Sequence, residues 1–95
     1  MSLENGKPLV GAALRKAVVD HITSGRVTFS DPHAIKRLKE RKVTAAQVIN
    51  ALRSGALACE STERGRNRYR ATKGKLYVIF TFEYGLIVIT IIVGR

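Results

Sequence analysis

Acidic residues are scarce in this 95-residue chain, with seven Asp and Glu against seventeen Lys and Arg and a formal net charge of +10. Tryptophan is absent, proline occurs twice and cysteine once. The lone Cys59 excludes an intramolecular disulfide framework and any site of clustered thiolates. Two histidines and a few dispersed acids offer no metal-ligand spacing, so neither a metal nor another cofactor is expected. Gly-rich phosphate loops, nucleophile elbows and paired-carboxylate motifs are also missing. The N-terminus lacks the charged start and apolar stretch of a signal peptide. One apolar run, Leu76 to Val93, has the length of a membrane span, but Glu83, Tyr84 and Gly85 interrupt it. Its Val, Ile, Phe and Thr content fits two β-strands joined by a tight turn. A soluble, cytoplasmic protein without a membrane partner is the expectation.

What remains is a small basic domain. Ninety-five residues leave room for one core and not two. The apolar fraction of 45% argues against disorder. The charge is unevenly placed. Arg26 to Gly55 holds seven basic and two acidic residues, and Ala56 to Lys75 six and two. Leu76 to Arg95 holds one of each. Such a concentration of like charge repels itself, which points to a polyanionic partner.

Residues 1–8 are polar, contain Gly6 and Pro8, and are expected to be a flexible tail; residues 9–95 form the domain. From Leu9 to Ser24 an apolar stripe of Val10, Leu14, Ala17, Val18, His21 and Ile22 recurs at helical spacing, and Gly25 stands where a C-cap would be. Arg26 to Phe29 is short and extended. Ser30 or Asp31 with Pro32 marks a second helix start over His33 to Arg41, with Ala34, Ile35 and Leu38 turned to the core. Thr44 and Gln47 form a capping box for a third helix, closed by Gly55. Beyond it the period changes to two. Ala56 to Ser61, Arg68 to Thr72, Lys75 to Phe82 and Leu86 to Val93 read as strands in an antiparallel meander. The last is apolar on both faces, as a strand covered on each side would be. The fold class is α+β, with N-terminal helices packed on one face of a twisted antiparallel sheet.

Three constellations carry candidate chemistry. His33, Arg37 and Arg41 recur every four residues, so they share one flank of the second helix. That flank can offer guanidinium groups to phosphate and a histidine as proton acceptor, or it can be a solvated helix face. Arg64, Arg66, Arg68 and Arg70 alternate in the basic strand, with Tyr69 on the other face. Arginine grips phosphate with two N–H groups and tyrosine stacks on exposed bases; a basic solubilising hairpin is the plainer alternative. Tyr77 projects opposite Leu76, Val78 and Phe80, as a proton donor or as half-buried packing. His21 reads as a packed core histidine and Cys59 as a small buried hydrophobe.

The segment Asp31-Pro-His-Ala-Ile-Lys-Arg-Leu-Lys-Glu-Arg-Lys-Val-Thr resembles a bacterial domain-of-unknown-function family related to RelE-like and MqsR-type toxins. The shared elements are His33-Ala34, Arg37, Arg41, Val43 and Thr44, followed by Arg68-Tyr69 and the apolar strands of Leu76 to Val93. The resemblance spans about residues 15–94. It implies a RelE-like fold and, in many members, metal-independent RNA cleavage restrained by an acidic antitoxin. Tyr77 is similar to an active-site tyrosine of the MqsR branch. A lysine of that branch would fall near Glu60, and its C-terminal lysine has no nearer match than Arg95. The implied reaction is attack of a ribose 2′-hydroxyl on the adjacent phosphate. His33 would act as base, Arg37, Arg41 and Arg68 would neutralise charge, and Tyr77 would be the acid. Arg64, Arg66, Arg70 and Tyr69 would hold the RNA. A non-catalytic module binding nucleic acid or an acidic partner is the alternative.

Overall fold

A computed structural model describes residues 8–30, 32–63 and 66–94. Its elements are α1 (Gly11–Thr23), β1 (Val27–Phe29), α2 (His33–Arg41), α3 (Ala45–Ser54), β2 (Ala56–Glu63), β3 (Arg66–Lys73), β4 (Leu76–Phe82) and β5 (Leu86–Val93). The helix, strand, helix, helix order of the first half matches the expectation, and so does the switch to strands after Gly55. Residues 1–7, most of the expected tail, and Asp31 lie outside the described residues.

Local chemistry sets most of the boundaries. Thr44 and Gln47 form the capping box: the Thr44 hydroxyl accepts from Gln47 N–H at 3.1 Å, and the Gln47 side chain accepts from Thr44 N–H at 2.8 Å. Gly25 follows the end of α1 at φ +70, where a side chain would be strained. The start of α2 departs from expectation. Pro32 occupies the N-cap without a side-chain cap, and it is the Ser30 carbonyl that accepts from Ala34 N–H at 2.9 Å. Two expected core positions are open. Val10 is 66% exposed because it sits at the extended N-cap of α1, before the helical period begins. Ile35 is 38% exposed because α2 buries only Ala34 fully, touching the sheet along a narrow line.

The five strands run in the order β1-β5-β4-β3-β2. Strands β2 to β5 are the antiparallel meander, but β1 pairs with β5 in parallel, Val27 opposite Leu86 and Phe29 opposite Val88. The sheet is therefore mixed and not purely antiparallel. The reason is positional: β1 is followed by two helices, so it has no sequential strand to form a hairpin with and fills the free edge of β5. From there α2 and α3 carry the chain across to β2 at the far edge. Along the way α2 packs on β5, α3 on β3 and β4, and α1 on α3 and β2.

All buried helix residues join one cluster with one side of the sheet. Leu14, Val18, Ala34, Val48, Ala51 and Leu52 meet Tyr69, Ala71, Val78, Phe80, Phe82, Leu86, Val88 and Ile91. Helices thus cover one face only. The expected double covering of β5 does not occur: Leu86, Val88 and Ile91 are buried, while Ile92 is 47% exposed. Within the core three rings form a unit, with Tyr69–Phe80 and Tyr69–Phe82 centroids both 5.6 Å apart and Phe80–Phe82 5.9 Å apart. His21 adds its ring to Phe82 at 5.0 Å, and its Nδ1 lies 2.7 Å from the Ala17 carbonyl, a half-buried packing role. Cys59 is half-buried and unpaired.

One cation also serves the fold. The Arg15 guanidinium donates to the Leu52 carbonyl at 3.2 Å and to those of Arg53 and Gly55, capping the negative end of α3. Gly55 is required beside it, since a Cβ there would come within 2.6 Å of the Ala51 and Thr72 carbonyl oxygens. Arg15→Gln is expected to cost about 1.5–3 kcal/mol of stability in urea unfolding, the range for charged hydrogen bonds. Tyr69→Phe, which removes the hydroxyl accepting from Leu9 N–H at 3.1 Å, should cost about 1 kcal/mol. Tyr69→Ala should cost roughly 3–5 kcal/mol, because it leaves a cavity against Phe80 and Phe82.

Candidate nucleic-acid interface

The face without helices carries the candidate site. Along β3 exposure alternates strictly from Arg66 to Ala71: Arg66, Arg68 and Arg70 are exposed, and Asn67, Tyr69 and Ala71 are buried. Alternate residues of a strand stand about 6.7 Å apart, so the three arginines form a row on the helix-free side. Across the ladder, Ile79 of β4 faces Arg70 and Tyr77 faces Thr72; on β5, Thr90 faces Ile79 and Ile92 faces Tyr77. Ile79 is only 4% exposed yet stands outside the core cluster, as expected beneath long side chains on the open face. Thr81 completes this floor, its hydroxyl donating to the Asn67 carbonyl at 2.8 Å.

Each arginine of the row is held differently. Arg66 forks onto Glu83 of the β4–β5 turn, with Nη2 2.9 Å from Oε1 and Nη1 on Oε2. Arg70 donates to Glu60 Oε1 at 3.4 Å, and its guanidinium lies over the Tyr77 ring at 5.8 Å. Arg68, between them, makes no ion pair among the described residues. The Tyr77 ring leans on the end of β5, where a Cβ on Gly94 would come 3.2 Å from its Cε2. Tyr77 has no hydrogen-bond partner among the described residues, and no buried polar side-chain atom there lacks one, so its hydroxyl meets solvent.

The expected site residues do not gather in one place. Arg66, Arg68, Arg70 and Tyr77 share the open face. His33 and Arg41 are exposed on α2, where Arg37 pairs with Glu40 at 2.8 Å. Because Ala34 of α2 belongs to the core cluster, that flank lies on the helical side of the sheet, across from the β3 row. Among the described residues no hydrogen bond or ion pair joins His33, Arg37 and Arg41 to Arg68 and Tyr77. Tyr69 is not available to a base, being 1% exposed with its ring among Phe80 and Phe82. Arg64 lies outside the described residues.

Sequence reasoning missed the two acids of the face. Glu83 was visible only as the interruption of an apolar run, and Glu60 only as a strand residue near the place of a lysine in the MqsR branch. No group of three His, Cys, Asp or Glu placed to hold a metal ion is found among the described residues. Nor is any helix among them long and apolar enough to cross a membrane. A recess of about 310 Å³ lies along α1 between Leu9 and His21, on the helical side and away from the arginines. Comparison of the chain with protein-family models, with curated proteins and with solved structures finds no match to any of them.

Proposed function

We propose that this chain is a single-stranded RNA-binding domain whose ligand backbone lies along β3 on the helix-free face. The observation that carries this reading is the row of three exposed arginines backed by Tyr77 and an uncharged floor of Ile79, Thr81 and Thr90. Guanidinium groups spaced by alternate strand residues can engage successive phosphates, while uncharged side chains of β4 and β5 accept bases. A single strand suits the face better than a duplex, because an open sheet offers bases a surface to lie on. An acidic protein segment would compete for the same arginines, as an antitoxin would.

A RelE-like, MqsR-type endoribonuclease is the second reading, favoured by the solvent-facing Tyr77 hydroxyl on the same face as the unpaired Arg68. In that reading the 2′-hydroxyl passes its proton to solvent water as its oxygen attacks phosphorus, the bond to the 5′-oxygen breaks, and Tyr77 gives that oxygen a proton and regains one from solvent. Arg68 neutralises the charge that builds on the phosphate. This reading draws on Arg68 and Tyr77 of the open face and leaves His33, exposed at the start of α2, without a part.

Binding of a fluorescein-labelled single-stranded RNA, followed by anisotropy at several salt concentrations, tests the first reading. The logarithm of affinity should fall with a slope of about −2 if three phosphates are engaged. Arg68→Gln should weaken binding several-fold and make that slope shallower by about 0.7. Arg41→Gln, the same charge change on α2, should leave both within about twofold. A larger effect at Arg41 than at Arg68 would overturn the proposal. For the second reading, incubation with RNA in EDTA should yield 2′,3′-cyclic phosphate ends with wild type and a rate at least tenfold lower with Tyr77→Phe.

A further inference from the structure

We propose that Glu83 and Glu60 are resident stand-ins for ligand phosphates, each holding an outer arginine of β3 ready and releasing it when RNA arrives. The inference rests on the RNA-binding reading of the open face and adds how its arginines are held before a ligand arrives. A carboxylate presents two oxygens to a guanidinium much as a phosphate does. Glu83 meets Arg66 in that forked arrangement. The turn that carries it is closed by a Glu83 N–H to Gly85 carbonyl bond of 2.7 Å, with Gly85 at φ +135, which fixes the carboxylate at the end of the row.

Glu60 reaches Arg70 by a different device. The β2–β3 register slips between Cys59 and Ser61, leaving Glu60 as the extra residue of a β-bulge. A bulge re-aims the side chain it carries, and here that side chain ends 3.4 Å from Arg70. Both ion pairs are partly exposed, with side-chain accessibilities from 31% to 54%. Pairs of that kind are weak and are outcompeted by a denser anion.

The row is therefore graded. Without the two acids, three guanidinium groups carried on alternate residues of one strand would repel one another in the free protein. With them, only Arg68 is open to a single phosphate. A strand bringing consecutive phosphates gains all three arginines by displacing both carboxylates, whereas a mononucleotide gains one. The glutamates so confine a small phosphate to Arg68, while a phosphodiester chain reaches all three arginines at the cost of breaking both ion pairs.

A double-mutant cycle on RNA affinity separates this device from a general charge effect. Anisotropy with a single-stranded RNA 10-mer is measured for wild type, Glu83→Gln, Arg66→Gln and the double variant, and likewise for Glu60 and Arg70. Glu83→Gln and Glu60→Gln should each tighten binding about two- to fivefold. In the Arg66→Gln or Arg70→Gln background the matching gain should fall below about 1.5-fold, because the arginine to be released is gone. Glu40→Gln, an equal charge change on α2, should alter affinity by less than about 1.5-fold. The inference is overturned if the glutamate variants bind no tighter, or if their gain persists without the paired arginine. Failure of the underlying RNA reading has a different signature: Arg68→Gln would then leave wild-type affinity unchanged. Circular dichroism melting of each variant confirms that the folded protein is being compared.

Discussion

Tyr69 sits between Phe80 and Phe82 beneath the helices, its hydroxyl tied to the backbone of Leu9. That anchorage governs the other side of the sheet. Side chains of a strand alternate, so a slip of one residue would bring Arg68 and Arg70 into the core and push Tyr69 out. Burying two unpaired guanidinium groups is prohibitive, which locks the register. The aromatic packing on one face is thus what presents the arginine row on the other.

The crossover decides why that row stays uncovered. With β1 at one edge and β2 at the other, α2 and α3 span the face that carries Val78, Phe80 and Phe82, and α1 packs alongside them. Described residues 66–94 form two hairpin connections with no helix between them to turn back over the arginines. The open face then depends on its own side chains for cover. Ile79 is sheltered there, Tyr77 leans on Gly94, and Glu60 and Glu83 balance two of the three cations.

Much of this was legible in the residues. The capping box at Thr44 and Gln47, the glycine stops and the two-residue period of β3 each rest on local chemistry, and local chemistry is what sequence displays. The parallel pairing of β1 was not, because three extended residues carry no information about a partner nearly sixty positions away. The separation of the two arginine sets also follows from the residues. Helices must cover the apolar side of β4, and the β3 arginines alternate away from that side, so α2 and the row had to part. Tyr69 shows the same lesson, since the face opposite the arginines is by necessity the face toward Phe80. Glu60 was hidden for a separate reason: a β-bulge depends on how two strands pair, which neither strand announces alone.

The claim on which the rest depends is that the helix-free face, and not the basic helix α2, receives the nucleic acid. Titrating isotopically labelled protein with single-stranded RNA while following backbone amide and arginine side-chain resonances tests it most directly. Shifts should concentrate at Arg66, Arg68, Arg70 and Tyr77 and leave His33, Arg37 and Arg41 in place. Shifts confined to α2, with the β3 row silent, would contradict it.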